Sequence, residues 1–256
     1  MFSDLWLFLS GFVAAGVNAA AGGGTLLSFP ALIAAGLSPI AANATSTVGL
    51  LPGMFASTGG YWRELSSPEL RKEARLQIVP AALGGVLGAW LLLHLGGRVF
   101  ARVVPLLLLA ASALLAAQPL VARWLGRHRP QQGSVALAML IALATSTYGG
   151  YFGAGQGIIF LAAMGLVTTR PIGEVNALKV LVAMVNSAVA AITFVMVEAW
   201  HPTGALDFRA ALPLCIGSFA GGWLGARVAR RLPAPVLRGF AAGVGVAIGL
   251  YLALRR

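Results

Sequence analysis

The chain has 256 residues, 18 of them Lys or Arg and 7 Asp or Glu, for a net charge of +11. Hydrophobic residues make up 59% and charged residues only 10%, with a mean hydropathy of +0.87. Soluble domains carry about 25% charged residues, so a soluble enzyme, a disulfide scaffold and a disordered chain are all excluded, and the composition is that of a polytopic membrane protein.

From Leu5 to Trp62 there is no charged residue, and a second empty window runs from Pro130 to Thr169. One crossing takes about 20 apolar residues, so each window holds more than one pass. The first apolar run ends in Val17-Asn18-Ala19-Ala20, small residues of the kind found at signal-peptide cleavage sites. Asp4 takes the place of a basic n-region and the run continues past the site, which predicts retention. Charge breaks then divide the chain into eight apolar segments, about 5–35, 39–61, 76–97, 103–121, 134–168, 172–197, 210–228 and 236–254. Ser38-Pro39 and Arg170-Pro171 suit helix starts, because proline at the first helical position gives up no needed N–H.

The most polar break, Arg123 to Gly133, falls near the middle. At a spacing of 133, Gly22, Gly24, Asn43 and Ala44 align with Gly155, Gly157, Asn176 and Ala177. At a spacing of 137, Gly84-Gly85-Val86-Leu87-Gly88-Ala89 aligns with Gly221-Gly222-Trp223-Leu224-Gly225-Ala226. The order of these blocks predicts an all-α integral membrane protein of two homologous four-segment repeats, 1–121 and 134–256, joined by a polar linker at 122–133.

The first segment of each repeat exceeds 30 residues and carries a glycine cluster partway along, Gly22-Gly23-Gly24 or Gly149-Gly150 with Gly153-Ala154-Gly155-Gln156-Gly157. Each glycine costs a helix about 1 kcal/mol relative to alanine, so the clusters predict unwound turns. The Gly84/Gly88 and Gly217/Gly221/Gly225 spacings fit close helix packing instead. If both long segments dip in and return, 12 of the 18 positive charges share one side, among them Arg63, Arg71, Lys72, Arg75, Arg123 and Arg170. Arg98, Arg102, Arg209, Arg255 and Arg256 take the other side. That asymmetry satisfies the positive-inside rule better than eight full crossings do. Three crossings per repeat would invert one repeat relative to the other.

No catalytic or metal constellation stands out. His94, His128 and His201 have no carboxylate or second histidine at ligand spacing, and the lone Cys215, in an apolar run, reads as a small buried hydrophobe. The 153–157 cluster lacks the dinucleotide-loop spacing. No enzyme activity, metal or cofactor is therefore expected, and the dispersed Arg residues do not form a nucleic-acid patch. Lys179 is different, being a charge within an apolar helix, where it costs roughly 2.5–3.5 kcal/mol. Either it snorkels to the interface or it meets an anion, with Asn176 and Asn186 on its helix face. Broken helices add free N–H groups and positive dipole ends. The candidate substrate-binding residues are Gly22, Gly23, Gly24, Asn43, Thr45, Gly155, Gln156, Gly157, Asn176 and Lys179. The first repeat has Ser46 and Thr47 at the matching place but no lysine.

Two stretches of the first half carry a resemblance: Ala21-Gly22-Gly23-Gly24-Thr25-Leu26-Leu27-Ser28-Phe29-Pro30, and Gly36-Leu37-Ser38-Pro39-Ile40-Ala41-Ala42-Asn43-Ala44-Thr45-Ser46. Tyr148-Gly149-Gly150-Tyr151-Phe152-Gly153-Ala154-Gly155-Gln156-Gly157 repeats the theme. In this order the chain resembles the sulfite exporter family named for TauE and SafE. The resemblance implies a multi-pass transporter that exports a small sulfur-containing anion, such as sulfite or an organosulfonate, across a bacterial cytoplasmic membrane. Its partners would be that anion and the lipid bilayer, with a homo-oligomer left open and no nucleic acid. An anion channel and a non-transporting membrane subunit, assembled through its glycine faces, are the alternatives.

Overall fold

The computed structural model describes residues 4–127, 133–228 and 234–254. Among them the chain is all-helical, with α1 Asp4–Ala21, α2 Thr25–Ala34, α3 Pro39–Thr58, α4 Trp62–Leu65, α5 Pro68–His94 and α6 Gly96–Arg127. The second half contains α7 Val135–Tyr151, α8 Gln156–Gly165, α9 Ile172–Trp200, α10 Phe208–Val228 and α11 Ala234–Leu254. Helix starts follow local chemistry. Pro39 opens α3 behind Ser38, whose Oγ accepts from the Ala41 N–H at 3.3 Å; Ser134 caps α7 in the same way through the Leu137 N–H at 3.4 Å. Pro171 stands just before α9 rather than in its first turn.

Both long segments are broken at their glycines, and both fold back. The Ser134 N–H, at the start of α7, donates to the Val167 carbonyl just past α8 at 3.1 Å, so the ends of 134–168 meet. In the first half Gly24 packs directly on the Ala14 carbonyl and Asn18. Trp6, Leu9 and Val13 of α1 line one groove with Leu27, Ala31 and Ala34 of α2. A straight helix would put residues 14 and 24 about 15 Å apart. Each segment is thus a helical hairpin whose returning arm, ten residues long, reaches only about 15 Å, half a bilayer core of about 30 Å.

Glycine faces seat these hairpins. A Cβ on Gly84 would lie 2.6 Å from the Leu143 carbonyl oxygen, and one on Gly88 would strike the Thr147 carbonyl, so α5 runs in step with α7. Gly217 and Gly221 likewise press α10 on the Phe8 and Phe12 carbonyls of α1. In the bundle α10 packs on α1 and α3, α5 on α7 and α9, and α6 on α11. Arg170 joins the start of α9 to the start of α5 through Glu73 at 2.6 Å, and also pairs with Glu174 at 2.8 Å. The α7–α8 hairpin opens at that end. The α1–α2 hairpin opens at the opposite end, beside the start of α10.

Among the described residues three helices, Pro68–His94, Gly96–Trp124 and Ile172–Trp200, are long and apolar enough to cross a membrane. The outward face is apolar as well. On α10, Leu212, Ile216, Phe219 and Trp223 are all more than half exposed at helical spacing, a stripe suited to lipid. Two charge breaks proved to be helical. Glu69 to Arg75 belong to the first turns of α5, and Arg98 and Arg102 to those of α6, with only Leu95 between the two helices. Charge marks the edge of the apolar layer, and the helices run on beyond it. In the expected linker, residues 122–127 complete α6, and 128–132, with His128, lie outside the described residues.

The packing gives a stability prediction. Gly221→Val puts a branched side chain into the Phe12 backbone, whereas Gly243 faces open space. Overpacking costs about 1–3 kcal/mol and a relieved helix glycine gains up to about 1 kcal/mol. Thermal unfolding in detergent should show Gly221→Val with a clearly lowered midpoint and Gly243→Ala unchanged or higher. Equal midpoints would refute the glycine seat.

Candidate functional site

The hairpin tips meet in the protein interior. Gly22 and Gly155, paired by the 133 spacing, have nearly the same left-handed backbone, φ +78° and +77°, which glycine adopts without strain. Gly23 abuts Leu115, and a Cβ on Gly155 would lie 3.2 Å from the Ala111 Cβ, so both tips rest on one turn of α6. Asn43 of α3 is fully buried and donates from Nδ2 to the Tyr151 carbonyl at 3.0 Å, tying the first half to the second tip. Beneath it Phe29, Phe100 and Phe152 form edge-on contacts with centroids 5.7 and 6.1 Å apart. Such pairs are worth about 0.5–1.5 kcal/mol each and stiffen the junction.

Lys179 enters this junction from α9. Its stem lies over Gly157, where a Cβ would come 3.2 Å from Cδ, and its Nζ lies 3.9 Å from the place a Gly22 Cβ would occupy. The residue is only 9% exposed, so it does not snorkel outward. Among the described residues it forms no ion pair; Glu174, the nearest acid along the helix, is engaged by Arg170. Gln156 begins α8 beside it. The Gln156 Oε1 accepts from Asn186 Nδ2 at 3.0 Å, while Gln156 Nε2, Asn186 Oδ1 and Asn43 Oδ1 are buried with no partner among the described residues. Gly155 and Gly157 stand at the N-cap and in the first turn of α8, the positive end of its dipole. The Lys179 stem thus crosses the first turn of α8 and its ammonium reaches the Gly22 turn. An ammonium beside a helix N-terminus, with no carboxylate paired to it among the described residues, is an arrangement that attracts a small anion.

Eight of the ten candidate residues are gathered here: Gly22, Gly23, Gly24, Asn43, Gly155, Gln156, Gly157 and Lys179. The other two are engaged elsewhere. Thr45 Oγ1 accepts from the Asp207 N–H at 3.0 Å, fixing the loop before α10. Asn176 Nδ2 donates to Tyr61 Oη at 2.7 Å. Ser46, the counterpart of Lys179 at the 133 spacing, is buried against Ser28 with the hydroxyls 2.6 Å apart. The site is thus asymmetric, with a cation in one half and a neutral hydroxyl pair in the other. Sequence reasoning missed the Tyr151 carbonyl, Leu115 and Ala111, for which no sequence signal existed. The expected inert residues behave simply: His94 stacks on Trp90 with centroids 4.4 Å apart, His201 is exposed, and the half-buried Cys215 donates weakly to the Val48 carbonyl at 3.6 Å.

Residues 7–252 match the family model described as sulfite exporter TauE/SafE. The chain belongs to that family. A probable membrane transporter protein, ORF9, of a Sinorhizobium species is 27% identical over 96% of this chain and 91% of its own length. The probable membrane transporter protein YfcA of Escherichia coli K12 is 23% identical over 87% of this chain and 79% of its own. A Haemophilus influenzae probable membrane transporter protein is 30% identical, over 61% of this chain and 60% of itself. No solved structure matches. The family is one of membrane transporters rather than enzymes, and with its apolar helices this member is a multi-pass membrane protein.

Proposed function

We propose that this TauE/SafE member is a secondary transporter that exports a small sulfur-containing monoanion, sulfite-like or an organosulfonate, across a bacterial cytoplasmic membrane. The observation that carries the proposal is Lys179, a buried ammonium with no counter-ion among the described residues, at the junction of two hairpin tips. A lone intramembrane cation is costly, and a bound anion would offset that cost. A single positive charge favours a singly charged ligand. The family name supports sulfur and export. Residues 1–121 and 134–256 act as two repeats about the linker 122–133, inverted relative to each other. The hairpins opening at opposite ends support this reading, as do the matched packing of α5 on α7 and α10 on α1. In such a plan the substrate sits near the midplane between broken helices, and access alternates as the repeats rock.

The test is flux into liposomes holding the purified protein, with sulfite, sulfate, methanesulfonate, taurine and acetate compared. Saturable uptake of the sulfur monoanions with counterflow is the expected result. Unsaturable flux would make the protein a channel, and no flux with any anion would leave a non-transporting subunit.

A further inference from the structure

Between α6, α8 and the start of α9 lies a cavity of about 270 Å³, lined by Gln118, Ala122, Ile158, Ile172 and Asn176 among others. Its mouth is at Ile172 and Gly173, which are exposed; Arg170 stands just before them in the chain, and Arg123 follows Ala122 of the opposite wall. Its floor is Ile158, the neighbour of the Gly157 that carries the Lys179 stem. From Ile172 to Lys179 is seven residues, about 10 Å along the helix, and Asn176 stands midway. No carboxylate lines the cavity. Its polar groups are two amides, one of which, Gln118, has its Oε1 buried without a partner among the described residues.

We infer that this cavity is the vestibule through which the anion reaches Lys179 from the cytoplasmic face, with Gln118 and Asn176 as its polar way-stations. The inference rests on the anion reading above. Three features support it. The walls carry no negative charge to repel an anion and no second cation to trap it, and the amide NH2 groups can donate to it, Asn176 keeping one N–H beyond the one it gives to Tyr61. The volume is below the about 300–1,000 Å³ of drug-sized pockets and suits a sulfonate of a few atoms. The mouth lies at the end of the bundle that carries Arg63, Arg71, Lys72, Arg75, Arg123 and Arg170, the cytoplasmic side by the positive-inside rule.

Cysteine accessibility tests it. In a Cys215→Ala background, Gln118→Cys and, as a second reporter, Ala122→Cys are exposed to two impermeant thiol reagents. These are sulfonatoethyl methanethiosulfonate, an anion, and its trimethylammonium analogue, a cation. His201→Cys marks the opposite end. In inside-out vesicles the vestibule cysteines should react, and Lys179→Gln should slow the anionic reagent about tenfold relative to the cationic one, since charge in a cleft focuses ligands by 10-fold or more. In intact cells only the His201→Cys protein should react. Reaction of either vestibule cysteine from outside, or of neither from the cytoplasmic face, overturns the vestibule. Anion-dependent thermal stabilisation of the Cys215→Ala parent still reports on Lys179 in that event. Reaction from the cytoplasmic face with a charge preference indifferent to Lys179→Gln keeps the vestibule and removes the anion reading instead.

Discussion

Lys179→Gln is expected to weaken anion binding at least tenfold and to abolish transport, while leaving the protein folded and slightly more stable without ligand. Most buried charges are paired, and removing one partner then leaves the other stranded at a cost of several kcal/mol. Lys179 has no such partner among the described residues, so glutamine removes a burial cost and strands nothing. What disappears is the charge-assisted contact to the ligand, worth about 1.5–3 kcal/mol, or roughly a 10- to 150-fold loss in affinity. Lys179→Arg should lose much of the binding too. The stem threads a gap bounded by Gly157 and Gly22, and a planar guanidinium is wider than a compact ammonium. The measurement is the thermal unfolding midpoint with and without methanesulfonate, beside liposome flux. A glutamine variant with the wild-type ligand shift would show that the lysine serves packing alone.

How far the sequence predicts this site differs from residue to residue. The 133 spacing pairs Gly22 with Gly155, and the two share a backbone conformation to within a degree of φ. The 137 spacing pairs Gly84 with Gly221, and both press on the carbonyls of a hairpin helix. Such features are legible because glycine is needed wherever a chain turns left-handed or two backbones touch. Lys179 is legible because a charge in an apolar run is expensive. The fates of Thr45 and Asn176 are not. Their partners, the Asp207 N–H and Tyr61 Oη, lie 162 and 115 residues away in the chain, and a hydroxyl or amide carries no mark of which distant group it meets. The same holds for the side of Gln156 that Asn186 occupies. Local periodicity reports which face of a helix is buried, and the neighbour on that face comes only from the tertiary fold.

Gly22→Val should eliminate substrate binding, and its comparison with Gly23→Val and Gly157→Val separates ligand space from packing. Within the Gly22-Gly23-Gly24 triplet only Gly22 has positive φ. A side chain there costs about 1–2 kcal/mol in the left-handed region and points at the Lys179 Nζ, 3.9 Å from its Cβ. Both stability and binding should fall. A Cβ on Gly23 would lie 2.6 Å from Leu115 Cδ2, a clash with a side chain on α6, so Gly23→Val should lower the unfolding midpoint and leave most of the ligand shift. Gly157 is helical, and the atoms nearest to a Cβ placed there belong to the flexible stem of Lys179, with Cδ at 3.2 Å. Gly157→Val should therefore cost little stability, push the ammonium off the junction, and reduce the ligand-induced shift at least tenfold in apparent affinity. If the tips were only a packing device, the ligand shift would track the unfolding midpoint across the three variants. A Gly157→Val protein that is stable and binds methanesulfonate like the parent would place the anion elsewhere.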